Sequence, residues 1–529
     1  MNNYRYDPQT GEPIYQPPVK EIYSSMEVLF AWFSLLVGYA FCRVFPVIYH
    51  PFGGLLIILV LYVGAVVLWK WKGAKLPLMP GILGGSALLL TPALFLSSNS
   101  TIHFFVYLYA LVTWFYLIYG LCGNLLENGF SDLLLFDFLK ALLLYPLTSL
   151  GKMIPALFSG KGRGKSLFLK ILLGLTIAVV PTVMALVLLS YDQAFVSLFR
   201  RVFSFDWGSF FSHIGSVILG IPVGMYFYGL FFSAHRQKGG EKLTAERCRS
   251  ISAAVKMLPG MTAIASSVPI LSVYLLFFIS QWNYYTSAFT GVLPAEFSFA
   301  EYARSGFFQL CAVSVLNLVM IIMIGVFVRR KGETATVTTR VLSLIFSGAT
   351  LVLIATAFSK LYLYVKQFGL TPKRVYAGWF MVILTVVFLL VIVKQLAKRF
   401  KLLPTAALVC VGLFTVLALS GSDTLIANYN VDRYLDGSLE TVDIDAMRDL
   451  GDAAVPAMVR LGEKLASKNG YKLSRFEYEG AEETYVRVVE YLYGMAERDR
   501  DGLFDLTLPK VLAKKSLSKA GIRNLNEGR

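Results

Sequence analysis

Groups that bind metals or carry protons are scarce in this chain. Charged residues make up 16% of its 529 residues, and it has only 4 histidines and 5 cysteines. The cysteines lack CxxC spacing, so the sequence predicts neither a disulfide framework nor a redox pair. No two histidines have HxxH or HxxxH spacing, the arrangement that brings two imidazoles together on one helix. We therefore expect no metal site and no cofactor.

Complete catalytic and coupling motifs are missing as well. Residues 159–166 end in Gly-Lys-Ser, as a phosphate-binding loop does, but Ser159 stands where the first glycine belongs. We interpret this segment as a basic turn attracted to anionic headgroups. The polar residues deep in apolar segments include Gln309, Asn317 and His213 rather than carboxylates or lysines, which argues against a proton-coupled carrier.

What the chain has in abundance is long apolar runs. Residues 52–69, 306–328 and 375–393 carry no charge over 18 or more positions, enough for a helix to cross ~30 Å of hydrocarbon. We therefore predict an all-α polytopic membrane protein. Hydropathy predicts about eleven spans, near residues 26–46, 52–69, 76–97, 101–122, 167–190, 209–234, 258–280, 306–328, 339–360, 375–394 and 402–420.

The net charge of +16 lies in the loops between these runs. The tail from residue 421 onward has 16 Lys and Arg against 19 Asp and Glu, so residues 1–420 hold a net charge of +19. Alternate loops hold roughly 23 and 8 basic residues, and the more basic set is expected on the cytoplasmic side. The N-terminus is then cytoplasmic and, with an odd number of spans, the tail is extracytoplasmic. Because membrane topology accounts for the charge, we expect no nucleic-acid partner.

Composition divides the chain into three parts. Residues 1–25 form a polar tail that we predict to be disordered, and residues 26–420 form the transmembrane domain. Residues 421–529 are predicted to form a small, mostly helical extracytoplasmic domain. Within the membrane domain, segments 131–158 and 192–208 mix charges with aromatic or leucine residues, which predicts interfacial helices along the membrane surface.

The tail has apolar residues at helical spacing, which predicts short amphipathic helices. These residues are Ile444, Met447, Leu450, Val455, Met458, Val459, Leu465, Tyr485, Val488, Val489, Leu492 and Met495. Asp443 and Asp452 are candidate helix N-caps, and Pro456 fits an early helical turn. Such a domain can bury a small core, with the membrane domain as a partner for the rest.

Small residues within the spans indicate where helices approach closely. Gly81 and Gly85, and again Gly220 and Gly224, are four residues apart and lie on one helix face. Packing within one subunit is the expected use of both pairs, and oligomerisation is the alternative.

Polar and charged residues concentrate in three segments of the predicted outer face, each where a span ends. The candidate site residues in them are Glu296, Glu301, Tyr302, Arg304, Lys360, Lys366, Asn428, Asp432 and Arg433. If the three segments converge, they form a pocket for a polar or anionic ligand, with Glu296 or Glu301 as an acid or base. The alternative is that these loops dock the tail onto the membrane domain by ion pairs.

Several segments carry a family resemblance, in order along the chain: 171–181 with 190–195, 299–308, 357–364 with 368–376, and 425–433. They resemble a family of bacterial multi-pass membrane proteins known only as a domain of unknown function, family forty-one fifty-three, with its sister family forty-one seventy-three. The resemblance spans roughly residues 25–460 and implies no activity, substrate or catalytic residue. Similar sequences often have an arginine where this chain has Ser305, and more often arginine than lysine at Lys360, so this chain keeps a cation only at Lys360.

Three classes of function follow as expectations. The leading one is a non-catalytic envelope sensor or assembly component in the bacterial cytoplasmic membrane, whose outer domain contacts an envelope protein or a lipid-linked ligand. The second is a transporter or lipid-handling protein with a cavity beside Gln309, Asn317 or His213. The third is a membrane-embedded transferase acting on a lipid-linked substrate, with Glu296, Glu301 or Asp432 as the acid or base. The missing motifs favour the non-enzymatic class.

Overall fold

The structure of the chain is a computed structural model. It describes residues 4–6, 13–15, 21–44, 51–159, 181–182, 184–185, 188–189, 192, 207–239, 243–280, 307–329, 333–397, 399–471, 473, 482–498 and 506–522.

Helices dominate the described residues. In the first half of the chain the elements are β1 (Tyr4–Tyr6), β2 (Pro13–Tyr15), α1 (Ser25–Val44), α2 (Pro51–Lys72), α3 (Leu78–Leu90), α4 (Ala93–Leu96), α5 (Ser100–Leu121), α6 (Leu134–Leu139), α7 (Tyr145–Thr148), α8 (Met153–Leu157), α9 (Trp207–Arg236), α10 (Ala245–Ala254) and α11 (Gly260–Ser280). In the second half they are α12 (Phe307–Phe327), α13 (Glu333–Phe368), α14 (Pro372–Leu396), α15 (Leu402–Leu419), α16 (Ser422–Leu435), α17 (Ile444–Asp449), α18 (Val455–Asn469), α19 (Glu483–Ala496) and α20 (Leu508–Lys519).

Ten helical segments in the described part of the chain are long and apolar enough to cross a membrane. They are Ser25–Arg43, Pro51–Lys72, Leu78–Leu96, Ser100–Leu121, Ser212–Arg236, Gly260–Ile279, Gln309–Phe327, Val337–Phe368, Pro372–Leu396 and Leu402–Leu419. Each coincides with one of the eleven predicted spans, and the remaining one, 167–190, lies largely outside the described residues. The prediction of an all-α polytopic membrane protein is confirmed.

The segment predicted to be interfacial near residues 131–158 is a broken helix. Helix α6 continues through a π-helical turn into α7, and a 3₁₀ turn then leads to α8. The axis bends by 52° between Leu134–Thr148 and Leu150–Leu157. A bend of this size fits a broken span or a re-entrant loop, so the interfacial position stays a prediction. The other predicted interfacial segment, 192–208, lies outside the described residues apart from Asp192 and the start of α9.

The chain divides into two compact units, which are residues 1–46 with 143–239 and residues 47–142 with 240–529. In the first unit, α1 packs along α9. A Cβ added at Gly220 would lie 2.8 Å from the carbonyl carbon of Gly38, and one at Gly224 would lie 2.7 Å from the oxygen of Ser34. Gly220 and Gly224 therefore serve packing within one subunit, as predicted.

An ion pair lies at one end of that α1–α9 contact. The guanidinium of Arg236 donates to both carboxylate oxygens of Glu27, from Nε at 2.6 Å and from Nη2 at 2.9 Å. Glu27 is 1% exposed. Nearby, Glu21 pairs with Lys152 at 2.8 Å and with Lys238 at 3.3 Å. Thus part of the N-terminal tail predicted to be disordered is held by ion pairs, and β1 and β2 form an antiparallel ladder within it.

In the second unit, α11 to α14 share an apolar core that includes Phe346 and Phe388. A buried polar group interrupts it. Asn317 accepts a 2.5 Å hydrogen bond from the hydroxyl of Tyr274 and donates a 2.8 Å hydrogen bond to the hydroxyl of Thr350. The side chain of Asn317 therefore acts as a packing group that joins three helices.

The tail folds around its own core, also within the second unit. All twelve apolar residues predicted to face inward are buried in one cluster formed by α16 to α20. Leu370 and Val375, from the connection into α14 and its first turn, pack against this cluster, so the core of the tail is continuous with the membrane helices. Asp443 caps α17 as predicted, accepting from the backbone N–H of Ala446 at 3.0 Å. The N-cap prediction for Asp452 is wrong, because this residue lies inside the 3₁₀ turn before α18.

Candidate functional site

A cavity of about 950 Å³ lies within the second unit, between the tail and the ends of several membrane helices. One wall comes from the first residues of α2, α5, α14 and α16 and the last turns of α13. The other wall comes from α17, the 3₁₀ turn after it, residue Arg498 beyond α19 and the start of α20. We call this space the junction cavity. Its volume suits a small-molecule ligand.

Helix caps determine how the membrane wall is built. Asn99 caps α5, and its side-chain oxygen accepts from the backbone N–H groups of Thr101 at 3.0 Å and Ile102 at 3.4 Å. Thr371 caps α14, where Pro372 occupies the first turn. Gly421 takes a left-handed conformation, with φ of 61°, and lets the chain turn from α15 into α16. Each cap brings a polar helix start to the cavity.

The carboxylate of Asp423, in the first turn of α16, is the most deeply buried acid of this wall, at 4% exposure. Its Oδ1 accepts two long hydrogen bonds, from Nδ2 of Asn99 at 3.4 Å and from the hydroxyl of Ser422 at 3.5 Å. Burial raises the pKa of the Asp423 carboxyl above its usual range, and the neighbouring polar groups of Asn99, Ser422 and Tyr376 only partly oppose this effect.

A tyrosine beside Asp423 has an unused polar group. The hydroxyl of Tyr376 is fully buried and makes no well-formed hydrogen bond among the described residues, although it lies near enough to Asp423 to lower the pKa of that carboxyl. Its ring belongs to α14, one turn from Pro372, and lines the junction cavity together with Asp423 and Asn99. An unsatisfied buried hydroxyl costs free energy, so it marks a position where a ligand or a water would gain a hydrogen bond.

Basic residues of the cavity differ in how far they are already engaged. Arg374 donates from Nη1 to the carbonyls of Phe368 at 2.9 Å and Gly369 at 2.6 Å, and its guanidinium lies 4.0 Å from the centre of the Tyr364 ring. This arginine therefore holds the end of α13 in place. Lys510 of α20 also lines the cavity and is half-buried.

The acids of the tail wall lie mostly at the surface. Asp445 pairs with Arg448 at 3.2 Å and with Arg487 at 3.4 Å, and its side chain is 69% exposed. Asp443 is engaged as the cap of α17. The described residues contain no group of three or more His, Cys, Asp or Glu side chains placed to hold a metal ion.

Five of the nine candidate residues of the sequence prediction lie in the described part of the chain, and none of these five lines the junction cavity. Glu296, Glu301, Tyr302 and Arg304 lie outside the described residues. Lys360 is buried within α13. Lys366 and Arg433 belong to the contact between α13 and the tail, whereas Asn428 and Asp432 make contacts within the tail.

Arg433 is the centre of that contact. It donates from Nη1 to the carbonyl of Val365 at 3.1 Å and from Nη2 to the carbonyl of Lys366 at 2.9 Å, both in the last turn of α13. It also donates from Nη2 to the carbonyl of Ser438 at 2.7 Å. Two of the three predicted outer segments are therefore in contact, and this contact holds the tail against the end of α13.

Asp432 and Asn428 contact the tail rather than an open space. Asp432 pairs with Arg460 at 2.7 Å, and Arg460 also donates to the amide oxygen of Asn428 at 3.4 Å. The neighbouring Asn430 holds the backbone of Leu370, donating to its carbonyl and accepting from its N–H, both at 2.7 Å. The contacts described between the tail and the membrane domain at this point are therefore hydrogen bonds to backbone groups, and docking by ion pairs stays a prediction.

Comparison with known proteins places this arrangement in a family. The model of the family described as a domain of unknown function, DUF4153, matches residues 83–461, more than two thirds of the chain. The chain belongs to this family. Neither the search of curated proteins nor the search of solved structures found a match.

The family region contains only part of the junction cavity. Asn99, Tyr376 and Asp423 lie inside the matched residues, as do the aspartates of α17. Arg498 and Lys510 lie beyond residue 461, so the rest of the tail wall is outside the matched region.

Sequence reasoning missed Asn99, Tyr376 and Asp423. One signal was present, because Gly421-Ser422-Asp423 directly follows an apolar span and is typical of a helix start. This signal predicts a helix start, however, and does not predict which distant residues contact it.

A test of the buried acid follows from its raised pKa. Since the folded protein disfavours the ionised form of Asp423, this group supports folding at low pH, and that support is lost as pH rises through the raised pKa. We expect Asp423→Asn to raise the apparent Tm at pH 7 by about 2–4 °C and to leave it unchanged near pH ~4. Thermal unfolding of both proteins across this pH range measures the difference.

Asp432→Asn is the matched control for this test, since it changes an exposed aspartate of the same helix. Its side chain is 58% exposed, so losing the pair with Arg460 should cost less than about 1 kcal/mol at pH 7. A lower Tm for Asp423→Asn than for Asp432→Asn at neutral pH would contradict the assignment of a destabilising buried charge.

Proposed function

We propose that this integral membrane protein is a non-catalytic sensor that binds a small ligand in the junction cavity. The observation that carries the proposal is the composition of the cavity, whose two walls come from the membrane helix ends and from the tail. A ligand that contacts both walls changes the free energy of their association, which is the physical requirement for a sensor.

The contacts that hold the tail support this proposal. Arg433 and Asn430 attach the tail to the end of α13 and to Leu370 without lining the cavity. The tail is therefore attached to the membrane domain by contacts that do not depend on ligand. Contacts made through ligand would add to it and would reach α17 and α20.

We also propose that the cavity faces the outside of the bacterial cytoplasmic membrane, with the N-terminus in the cytoplasm. Its membrane wall comes from the loops before α5 and between α13 and α14, which belong to the less basic set. Loops of the more basic set contact one another elsewhere in the same unit, with Lys401 3.6 Å from Asp132 and Arg249 paired with Glu127. This grouping supports the orientation expected from the positive-inside rule.

The other two classes receive less support from the described residues. A transporter would use a cavity beside Asn317, His213 or Gln309. The side chain of Asn317 is hydrogen-bonded to two other side chains, and His213 is hydrogen-bonded to the hydroxyl of Tyr39 at 2.7 Å. Gln309 is exposed on a helix surface. For a transferase, Asp432 is paired with Arg460 outside the cavity. The geometry favours ligand binding without chemistry.

Hydrogen–deuterium exchange tests the proposal on the full chain in lipid nanodiscs. The probe is a small-molecule and lipid extract of cells that naturally make the protein. We expect the extract to slow exchange by about tenfold at residues 98–103 and 443–452, because ligand contacts both walls. Ala446→Trp, which fills the cavity from α17, should abolish the slowing.

Ser518→Trp is the control, since it adds the same side chain at an exposed position of α20 outside the cavity. It should respond to the extract as the wild type does. Unchanged exchange in the wild type, or equal slowing in Ala446→Trp, would refute the sensor proposal.

A further inference from the structure

The environment of Asp423 indicates the chemistry of the ligand. This carboxylate is 4% exposed, and its hydrogen-bond donors in the described part of the chain are the neutral side chains of Asn99 and Ser422. Its two hydrogen bonds, at 3.4 and 3.5 Å, are longer than the 2.7–2.9 Å typical of charge-assisted bonds. A buried carboxylate with such weak partners lacks a strong donor, and the junction cavity is the space from which one can come.

A metal ion does not fit this position. Divalent cations need several oxygen or nitrogen ligands at 2.0–2.6 Å, whereas Asp423 belongs to no group of three or more His, Cys, Asp or Glu side chains placed to hold an ion among the described residues. The amide oxygen of Asn99 is already used to cap α5. A singly charged cation that donates hydrogen bonds to one carboxylate and to neutral acceptors fits this position better.

The neutral groups around Asp423 are hydrogen-bonding groups. The hydroxyl of Tyr376 lies beside Asp423 without a well-formed hydrogen bond among the described residues, and the hydroxyl of Ser422 is adjacent. A primary ammonium has three N–H donors for one carboxylate and two hydroxyl oxygens, whereas a quaternary ammonium has none. The arrangement therefore distinguishes between these two kinds of cation.

We propose that the junction cavity binds a ligand with a primary ammonium group, which Asp423 and Tyr376 hold at the membrane wall. The inference rests on the proposed function and specifies its ligand class. Lys373 and Lys510 line the same cavity and provide cations for an anionic part of the same molecule. An aminophospholipid headgroup and a soluble amine share this chemistry.

Apolar residues of the same wall make either source accessible. Leu361 and Ala377 line the cavity at the ends of α13 and α14, both of which are membrane spans. A headgroup can enter beside them from the bilayer, and a free amine can enter from water. The experiment therefore supplies the ammonium in both forms.

Thermal unfolding of the full chain, followed through its 7 tryptophans, tests the inference. The protein is reconstituted in phosphatidylcholine nanodiscs, which contain only quaternary ammonium. Ethanolamine is then added as the soluble probe, with choline as its matched comparison. In a second arm, phosphatidylethanolamine replaces part of the phosphatidylcholine.

We expect a rise in apparent Tm of a few degrees in the soluble arm, in the lipid arm, or in both, and none with choline. The arm that responds identifies the source. Asp423→Asn should weaken binding by about ten- to a hundredfold, because it removes a charge-assisted bond. Tyr376→Phe should weaken it by about fivefold, and Asp432→Asn should leave it unchanged.

Three results would overturn the inference: no rise with either source, an equal rise in Asp423→Asn, or an equal rise with choline. Failure of the sensor proposal is distinguishable from these results. If the cell extract slows exchange at the cavity but neither amine source raises the Tm, the ligand class is wrong and the sensor proposal stands.

Discussion

Gly38→Ala is expected to destabilise the protein by about 3 kcal/mol, although it adds a single methyl group. A Cβ at this position would overlap the backbone carbonyl of Gly220 and lie 2.7 Å from the backbone nitrogen of Gly224. Backbone atoms cannot rotate away as a side chain does, so α1 and α9 must separate along their whole contact. Reversible unfolding in a denaturing detergent would measure the loss.

Gly215→Ala is the control on α9 itself. A Cβ there meets no atom within 4 Å, and alanine is a better helix former than glycine. We expect this substitution to be neutral or to stabilise by up to about 1 kcal/mol. If both substitutions changed stability equally, the close contact at Gly38 would not be what holds α1 to α9.

Arg236→Gln is expected to cost about 3–5 kcal/mol, because it leaves the carboxylate of Glu27 buried without its cation. Glu27 is 1% exposed and receives two hydrogen bonds from this guanidinium. Its other partner is the backbone N–H of Ser24, at 2.7 Å. The same unfolding assay should show that Glu27→Gln combined with Arg236→Gln is less harmful than the sum of the two single substitutions.

The ion pair between Arg448 and Asp445 provides the comparison. Its side chains are 53% and 69% exposed, so water and salt screen the charges and Arg448→Gln should cost less than about 1 kcal/mol. A cost for Arg236→Gln within that range would show that the α1–α9 pair is solvated rather than buried.

Much of the fold was predictable because it depends on local properties of the chain. A span needs about 20 apolar residues in succession, and ten of the predicted spans are helices of that length in the structure. The tail helices were equally predictable, since apolar residues stand at helical spacing within each of them and are buried, as Met447, Met458 and Val488 are. The cap at Asp443 follows from its position just before such a helix.

The candidate site was less predictable. Charge density at span ends drew attention to Asp432 and Arg433, of which Arg433 holds the tail to α13 and Asp432 pairs with Arg460 within the tail. Arg433 donates its hydrogen bonds to carbonyls at the end of α13. The sequence alone does not distinguish this structural role from ligand binding. The junction cavity also includes neutral residues such as Asn99 and Tyr376, which no charge pattern singles out.

The sequence by itself determined the membrane class, the span positions and the helical tail, since hydrocarbon solubility and amphipathic spacing act within short segments. Only the tertiary structure decided that Asn99 meets Asp423, which lies 324 positions further along the chain. It also decided that α17 and α20 close one side of the same cavity. Such proximity depends on how helices pack, which no local pattern specifies, and burial by that packing is what makes Asp423 a candidate binding group.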